Sequence, residues 1–156
     1  MNMQDKVKCL RDPVLYRCKD EKHHRTGDKY KAYPTYDLTC PVVDSIEGVT
    51  HALRTIEYRD RNALYAWVQD KLALRPVVIY DFSKINLTKT VLSKRKLRWF
   101  VEEGHVEGWN DPRFPTVQGI MRRGMTTRAL RDFMLEQGAS QKNVFMEWDK
   151  IYALNK

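Results

Sequence analysis

The sequence predicts an α/β fold: a short parallel sheet with a crossover helix, followed by a run of helices. Three observations carry this. Residues 49–80 read as strand, helix, strand, the order of a right-handed crossover unit. Residues 94–156 show helical spacing interrupted by glycine and proline. The 156 residues are 42% hydrophobic and 31% charged, enough for one domain or two small pieces of a larger one, with a water-facing surface.

Residues 1–33 are polar and basic. An alternating stretch at 14–18 predicts a strand, the turn residues 23–28 follow, and 30–33 supply the partner strand of a hairpin. Pro34 marks a break. Residues 37–47 have helical character, with Gly48 as the stop, and 49–56 alternate as a strand. Between residues 60 and 72, Leu64, Trp67, Val68, the stem of Lys71 and Leu72 recur at helical spacing. The β-branched run at 76–80 predicts a buried parallel strand. Further on, a helix at 96–103 stops at Gly104, and residues 111–115 form a rigid loop. Thr116 caps a helix reaching Arg123, and Thr126 caps one over 127–137 that ends at Gly138. A final helix is expected from about Lys142.

No apolar run reaches the roughly 18 residues of a membrane span, and the first residues lack the apolar stretch of a secretion signal, so the cytoplasm is the expected compartment. The net charge of +8 points to a polyanionic partner. Cys9, Cys18 and Cys40 are odd in number and fit reduced thiols better than a disulfide framework. Cys9, Cys18, His23 and His24 follow no familiar zinc spacing, so no metal site is assigned.

The chemistry concentrates in one segment. Between Asp81 and Glu102 there is no acidic residue, while Lys84, Lys89, Lys94, Arg95, Lys96 and Arg98 all occur. A solvated helix face normally mixes both signs. A one-sign loop that follows a buried strand and enters a helix suits an anion at the carboxyl edge of a sheet; a merely soluble basic loop is the plain alternative.

Ser83-Lys84-Ile85-Asn86-Leu87 followed by Val91-Leu92-Ser93-Lys94-Arg95-Lys96-Leu97 resembles the KMSKS-type signature of class I aminoacyl-tRNA synthetases, in the form of the glutamyl/glutaminyl subgroup, eukaryotic and archaeal branch. The blocks at 11–17, 33–37, 44–55 and 108–113 resemble the same subgroup, in order and across nearly the whole chain. The resemblance implies the C-terminal half of a class I Rossmann-type catalytic domain at 34–93. The tail of an acceptor-stem-binding insertion, a β-hairpin, would precede it at 1–33, and a helical stem-contact subdomain would follow at 94–156.

It also implies roles. Lys94 would be the catalytic lysine that meets charge developing on ATP. Thr55, Lys84, Ile85, Leu92 and Ser93 would join it in the ATP site, with Mg²⁺ accompanying the nucleotide. Lys84 departs from the Arg usual in glutaminyl relatives and loses the planar fork. Tyr36, Arg54 and Cys40 would form the glutamate pocket. Arg54 lies in an otherwise apolar strand, where an unpaired guanidinium is costly, and a substrate carboxylate suits its fork. Internal pairing with Glu47 or Glu57 is the alternative. Glutaminyl relatives typically carry Cys at the position of Arg54 and His at that of Cys40, so both differences favour glutamate. Asp60 would face the minor groove of the acceptor stem, or else serve as an N-cap or first-turn acid. Arg122 and Arg123, with Arg128 and Arg131, would track tRNA phosphates, or form an ordinary basic helical surface.

The implied partners are glutamate and tRNA(Glu). No counterpart of the family's other ATP motif, the HIGH-type turn, occurs in the chain, so a missing N-terminal half-domain or a longer parent chain is expected as a further partner, with assembly among other synthetases left open. The leading expectation is therefore part of a glutamate–tRNA ligase that is not competent alone. A non-catalytic truncated paralogue that binds tRNA or a protein, and a glutaminyl enzyme, remain as alternatives.

Overall fold

A computed structural model describes residues 1–155 in two compact units, Met1–Phe82 and a second that begins at Ser83. In the first, β1 (Tyr16–Cys18) pairs antiparallel with β2 (Ala32–Pro34), the expected hairpin with each strand beginning two residues later. Pro34 ends β2 opposite Tyr16, and the Thr35 hydroxyl donates to the carbonyl of Val14 at 2.8 Å. Helix α1 (Tyr36–Ile46) follows and stops at Gly48, whose φ of 78° an L side chain would resist. Pro41 sits inside α1, removing one ladder donor, yet is fully buried.

β3 (His51–Thr55) and β4 (Val78–Phe82) form a parallel pair in which Arg54 lies opposite Asp81. β4 begins two residues later than expected. Pro76 has no N–H, and the Val77 N–H goes to the Gln69 side chain at 3.2 Å, so the ladder opens at Val78 N–H to Thr50 O, 3.0 Å. Helix α2 (Asn62–Lys71) likewise starts later than the expected Asp60, because Ile56–Arg61 winds as a 3₁₀ turn. Its buried face is Leu64, Tyr65, Val68 and Gln69, not the predicted stripe through Lys71 and Leu72, which are exposed. Gln69 is tolerated inside because its amide also donates to the Pro41 carbonyl at 3.2 Å. The other face of the sheet is open: Leu53 is 68% and Val78 56% exposed.

The second unit contains β5 (Asn86–Leu87), α3 (Lys94–Glu102), α4 (Val117–Arg122), α5 (Thr127–Gln137), β6 (Phe145–Met146) and α6 (Trp148–Ala153). The Thr116 and Thr126 hydroxyls cap α4 and α5 as expected, accepting from the N–H groups of Gly119 and Ala129. The helix expected near Lys142 is corrected. Phe145–Met146 pairs parallel with β5, and the last helix begins only at Trp148. The core joins Leu87, Ile120, Met125, Ala129, Phe133, Met146 and Ile151. Asp111 is 2% exposed, and its carboxylate accepts from the Arg113 backbone N–H (2.9 Å), Nε (2.9 Å) and Nη2 (2.8 Å) and from the Glu107 N–H (3.3 Å). Arg113 thereby holds that carboxyl well below the usual carboxylate range.

Candidate active site

In the first unit, three elements converge on Arg54. It leaves β3 half-buried, with its Cζ 5.0 Å from the Tyr58 ring centroid and 5.5 Å from that of Tyr65. The 3₁₀ turn supplies Tyr58 and α2 supplies Tyr65, so the late start of α2 is what places both rings. A cation over aromatic faces is stabilised by about 0.5–2 kcal/mol, depending on desolvation.

The Tyr65 hydroxyl donates to Asp44 on α1 at 2.8 Å, and burial followed by that bond pushes its phenol far up. Tyr65 is therefore a neutral donor that ties α1 to α2. Cys40 shares this charge environment: burial pushes its thiol up, and the Arg54 guanidinium partly offsets the effect. A protonated thiol is wall rather than nucleophile. Tyr36, four residues before Cys40 on α1, is 71% exposed and lines an open cleft of about 1720 Å³ that also includes Asp60 and Arg17. Asp37 beside it is ion-paired to Arg61. Asp60 neither caps α2 nor sits in its first turn; its backbone carbonyl accepts from the Cys9 thiol at 3.1 Å while its side chain is exposed. Thr55 ends β3, half-buried. Below Arg54, Asn62 donates to Asp81 at 2.7 Å, and the other side-chain oxygen of each lacks a hydrogen-bond partner among the described residues.

In the second unit, Val91 through Lys96 are all exposed, and Ser93 is the N-cap of α3, so Lys94 opens the helix. The first turn holds Lys94, Arg95 and Lys96 and no acid. The helix macrodipole disfavours cations there by about 0.3–1 kcal/mol each. An anion at this end would offset that penalty, since free N–H groups of the first turn point toward it. Leu92 is 45% exposed, Lys84 is exposed, and Ile85 packs against the core. Arg122 pairs with Glu107 at 3.0 Å, and Arg123 lies 4.6 Å over the Trp148 ring, so neither is a free charge on a helix face. Among the described residues no group of three His, Cys, Asp or Glu side chains could hold a metal ion, and no helix is long and apolar enough to cross a membrane.

The profile of the class I tRNA synthetase (E and Q) catalytic domain matches residues 1–156. The chain belongs to that family. Cytoplasmic glutamate–tRNA ligase of Arabidopsis thaliana is 62% identical over 155 residues, covering 99% of this chain and 22% of the relative. The bifunctional glutamate/proline–tRNA ligase of Drosophila melanogaster is 61% identical over 148 residues, 95% of this chain and 9% of the relative. For cytoplasmic glutamate–tRNA ligase of Saccharomyces cerevisiae the values are 60% over 149 residues, 96% and 21%. The chain thus spans about a fifth or less of these relatives. As a class I synthetase segment it carries a Rossmann-type α/β architecture, and the family implies ATP as the activating substrate.

The resemblance gives Asp44, inside the block at 44–55, no role of its own, and Tyr58 and Tyr65 escape a reading by motif. Their signal is aromatic spacing: Tyr58 stands four residues after Arg54, and Tyr65 seven further on.

Proposed function

We propose that this chain is the portion of a cytoplasmic glutamate–tRNA ligase that binds the glutamate side chain and presents the mobile lysine loop to ATP. The observation that carries the reading is Arg54, a half-buried cation held by two ring faces, which use none of its N–H donors. A γ-carboxylate can take two of them at once; the neutral amide of glutamine cannot supply the charge. Tyr36 and Cys40, both on α1, are the other proposed pocket residues.

In the reaction, the α-carboxylate of glutamate attacks the α-phosphorus of ATP, and pyrophosphate leaves. Lys94 meets the charge that develops on the phosphoryl oxygens, which one donor stabilises by roughly 3 kcal/mol in a water-excluded site. Leu92 and Ser93 shape the loop that carries it, with Thr55, Lys84 and Ile85 completing this portion's ATP contacts and Mg²⁺ travelling with the nucleotide. A terminal ribose hydroxyl of tRNA(Glu) then attacks the adenylate carbonyl, and AMP departs. Asp60 and the Arg122–Arg123 pair are the proposed tRNA contacts, the arginines after exchanging their present partners for phosphate.

The test is pyrophosphate exchange in the protein at its natural full length, with glutamate against glutamine, in wild type and Lys94→Ala. Exchange with glutamate, abolished in Lys94→Ala while tRNA binding survives, is the expected result. A preference for glutamine would reject the role of Arg54, and undiminished exchange in Lys94→Ala would reject that of Lys94.

A further inference from the structure

We infer that Trp148 is a positioning residue for the lysine loop, latching its root through an indole hydrogen bond to Thr90. The inference rests on the reading of Lys94 above only for its catalytic consequence; the latch itself is a property of the second unit.

The loop between β5 and α3 is pinned at one end and exposed at the other. The Thr88 N–H extends the β5–β6 ladder to the Met146 carbonyl at 2.9 Å. Lys89 then turns with φ 50°, a left-handed conformation that a lysine adopts only when its surroundings hold it. What holds it is Thr90. Its hydroxyl donates back to the Thr88 carbonyl at 2.8 Å, closing the turn, and accepts from Trp148 Nε1 at 2.8 Å. Indole nitrogen is a donor only, so the direction is fixed: Trp148 N–H to Thr90 hydroxyl to Thr88 carbonyl. Bonds in such a chain polarise and strengthen one another.

The Trp148 ring is itself held by its neighbours. Arg123 lies over it at 4.6 Å, Tyr152 stacks at 6.0 Å, and the ring packs against the hydrophobic core. Trp148 therefore transmits the rigidity of the core to a backbone position four residues before Lys94. Beyond Thr90 the run from Val91 to Ser93 is exposed, until the Ser93 carbonyl accepts from the Leu97 N–H at 2.9 Å and α3 begins. Because charge stabilisation by Lys94 depends on its placement to within about 1 Å, freedom at the root dilutes the productive geometry.

The experiment uses the full-length protein with Trp148→Phe, Thr90→Val, the double variant, and Thr90→Ser, which restores the hydroxyl. Two readouts are taken: amide exchange of residues 88–96, where the Thr88 N–H at the loop root bonds to the Met146 carbonyl, and glutamate-dependent pyrophosphate exchange. Loss of the indole bond in Trp148→Phe is expected to accelerate exchange at Thr88 and lower kcat by about fivefold to tenfold, and Thr90→Val, which also loses the bond to the Thr88 carbonyl, by at least as much. KM for glutamate should stay within about twofold and α5 protection unchanged, with Thr90→Ser like wild type and the double no worse than Thr90→Val, because Thr90→Val already removes the one bond that Trp148→Phe deletes. Wild-type loop protection in Trp148→Phe, a Thr90→Ser as impaired as Thr90→Val, or effects that multiply in the double would overturn the latch. If the wild type shows no glutamate-dependent exchange, the proposed function fails, and loop protection still decides the latch.

Discussion

Replacing Gly119 by alanine inserts one methyl group where the backbone leaves no room. A Cβ at this position of α4 would stand 2.5 Å from the Asp111 carbonyl oxygen, 2.6 Å from that of Phe114 and 3.1 Å from the Thr116 hydroxyl that caps the helix. Both shortest contacts are backbone. The Asp111 carbonyl already accepts from the Phe114 N–H at 2.9 Å, and the loop between them is tied by Arg113. It cannot swing aside as a flexible side chain would. Overpacking of this kind costs about 1–3 kcal/mol, and a pinned loop belongs at the upper end. Alanine recovers about 1 kcal/mol of helix propensity, which leaves about 2 kcal/mol of net destabilisation. At 1.4 kcal/mol per factor of ten, that is about a thirtyfold loss of amide protection in α4, read at Ile120 and Arg123, whose N–H groups bond to Thr116 and Gly119. Gly108→Ala is the control, since its nearest contact is an ordinary 3.6 Å. Protection in Gly119→Ala within threefold of wild type would show that the loop yields, and the close-approach reasoning would fall.

Tyr65→Phe keeps the ring beneath Arg54 but deletes the bond to Asp44, so unfolding should become easier by about 1 kcal/mol in denaturant titration while KM for glutamate rises less than threefold. A loss of glutamate binding as large as that of Tyr65→Leu would mean that the hydroxyl, not the ring, serves Arg54. The depressed Asp111 carboxyl makes the loop around it acid-labile: with a folded pKa below the unfolded value of about 3.9, its contribution is complete above that value and disappears as pH falls through the folded pKa. Aromatic circular dichroism should hence be flat from pH 7 to 5 and change on further acidification. Asp111→Asn, which has lost the contribution at every pH, should flatten the acid limb, and an unaltered limb would assign the acid transition to other groups.

Much of this was legible in the residues because the signals are local. Thr116 and Thr126 stand where a hydroxyl can meet N3, and Gly48, Gly104 and Gly138 stop helices with positive φ. The lysine loop and Arg54 were legible by their pattern. What stayed hidden depends on partners distant in sequence. Gln69 enters the core only because the Pro41 carbonyl and the Val77 N–H await it, so α2 rotates away from the face its apolar residues suggest. β5 and β6 are two residues each, too short for any alternation to register, and their pairing moved the last helix to Trp148. The bond from Trp148 to Thr90 spans 58 positions, which no local spacing anticipates.

The uncovered side of the β3–β4 pair bears on how mutational data from this segment are read. Leu53 and Val78 stand on that side, more than half exposed, so polar replacements there disturb no buried packing among the described residues. A saturation scan scored on the folding of these residues alone would record them as silent. Their apolar character would then be visible only to a selection that acts on a larger assembly, and a disagreement between the two scans would map the surface that such an assembly covers.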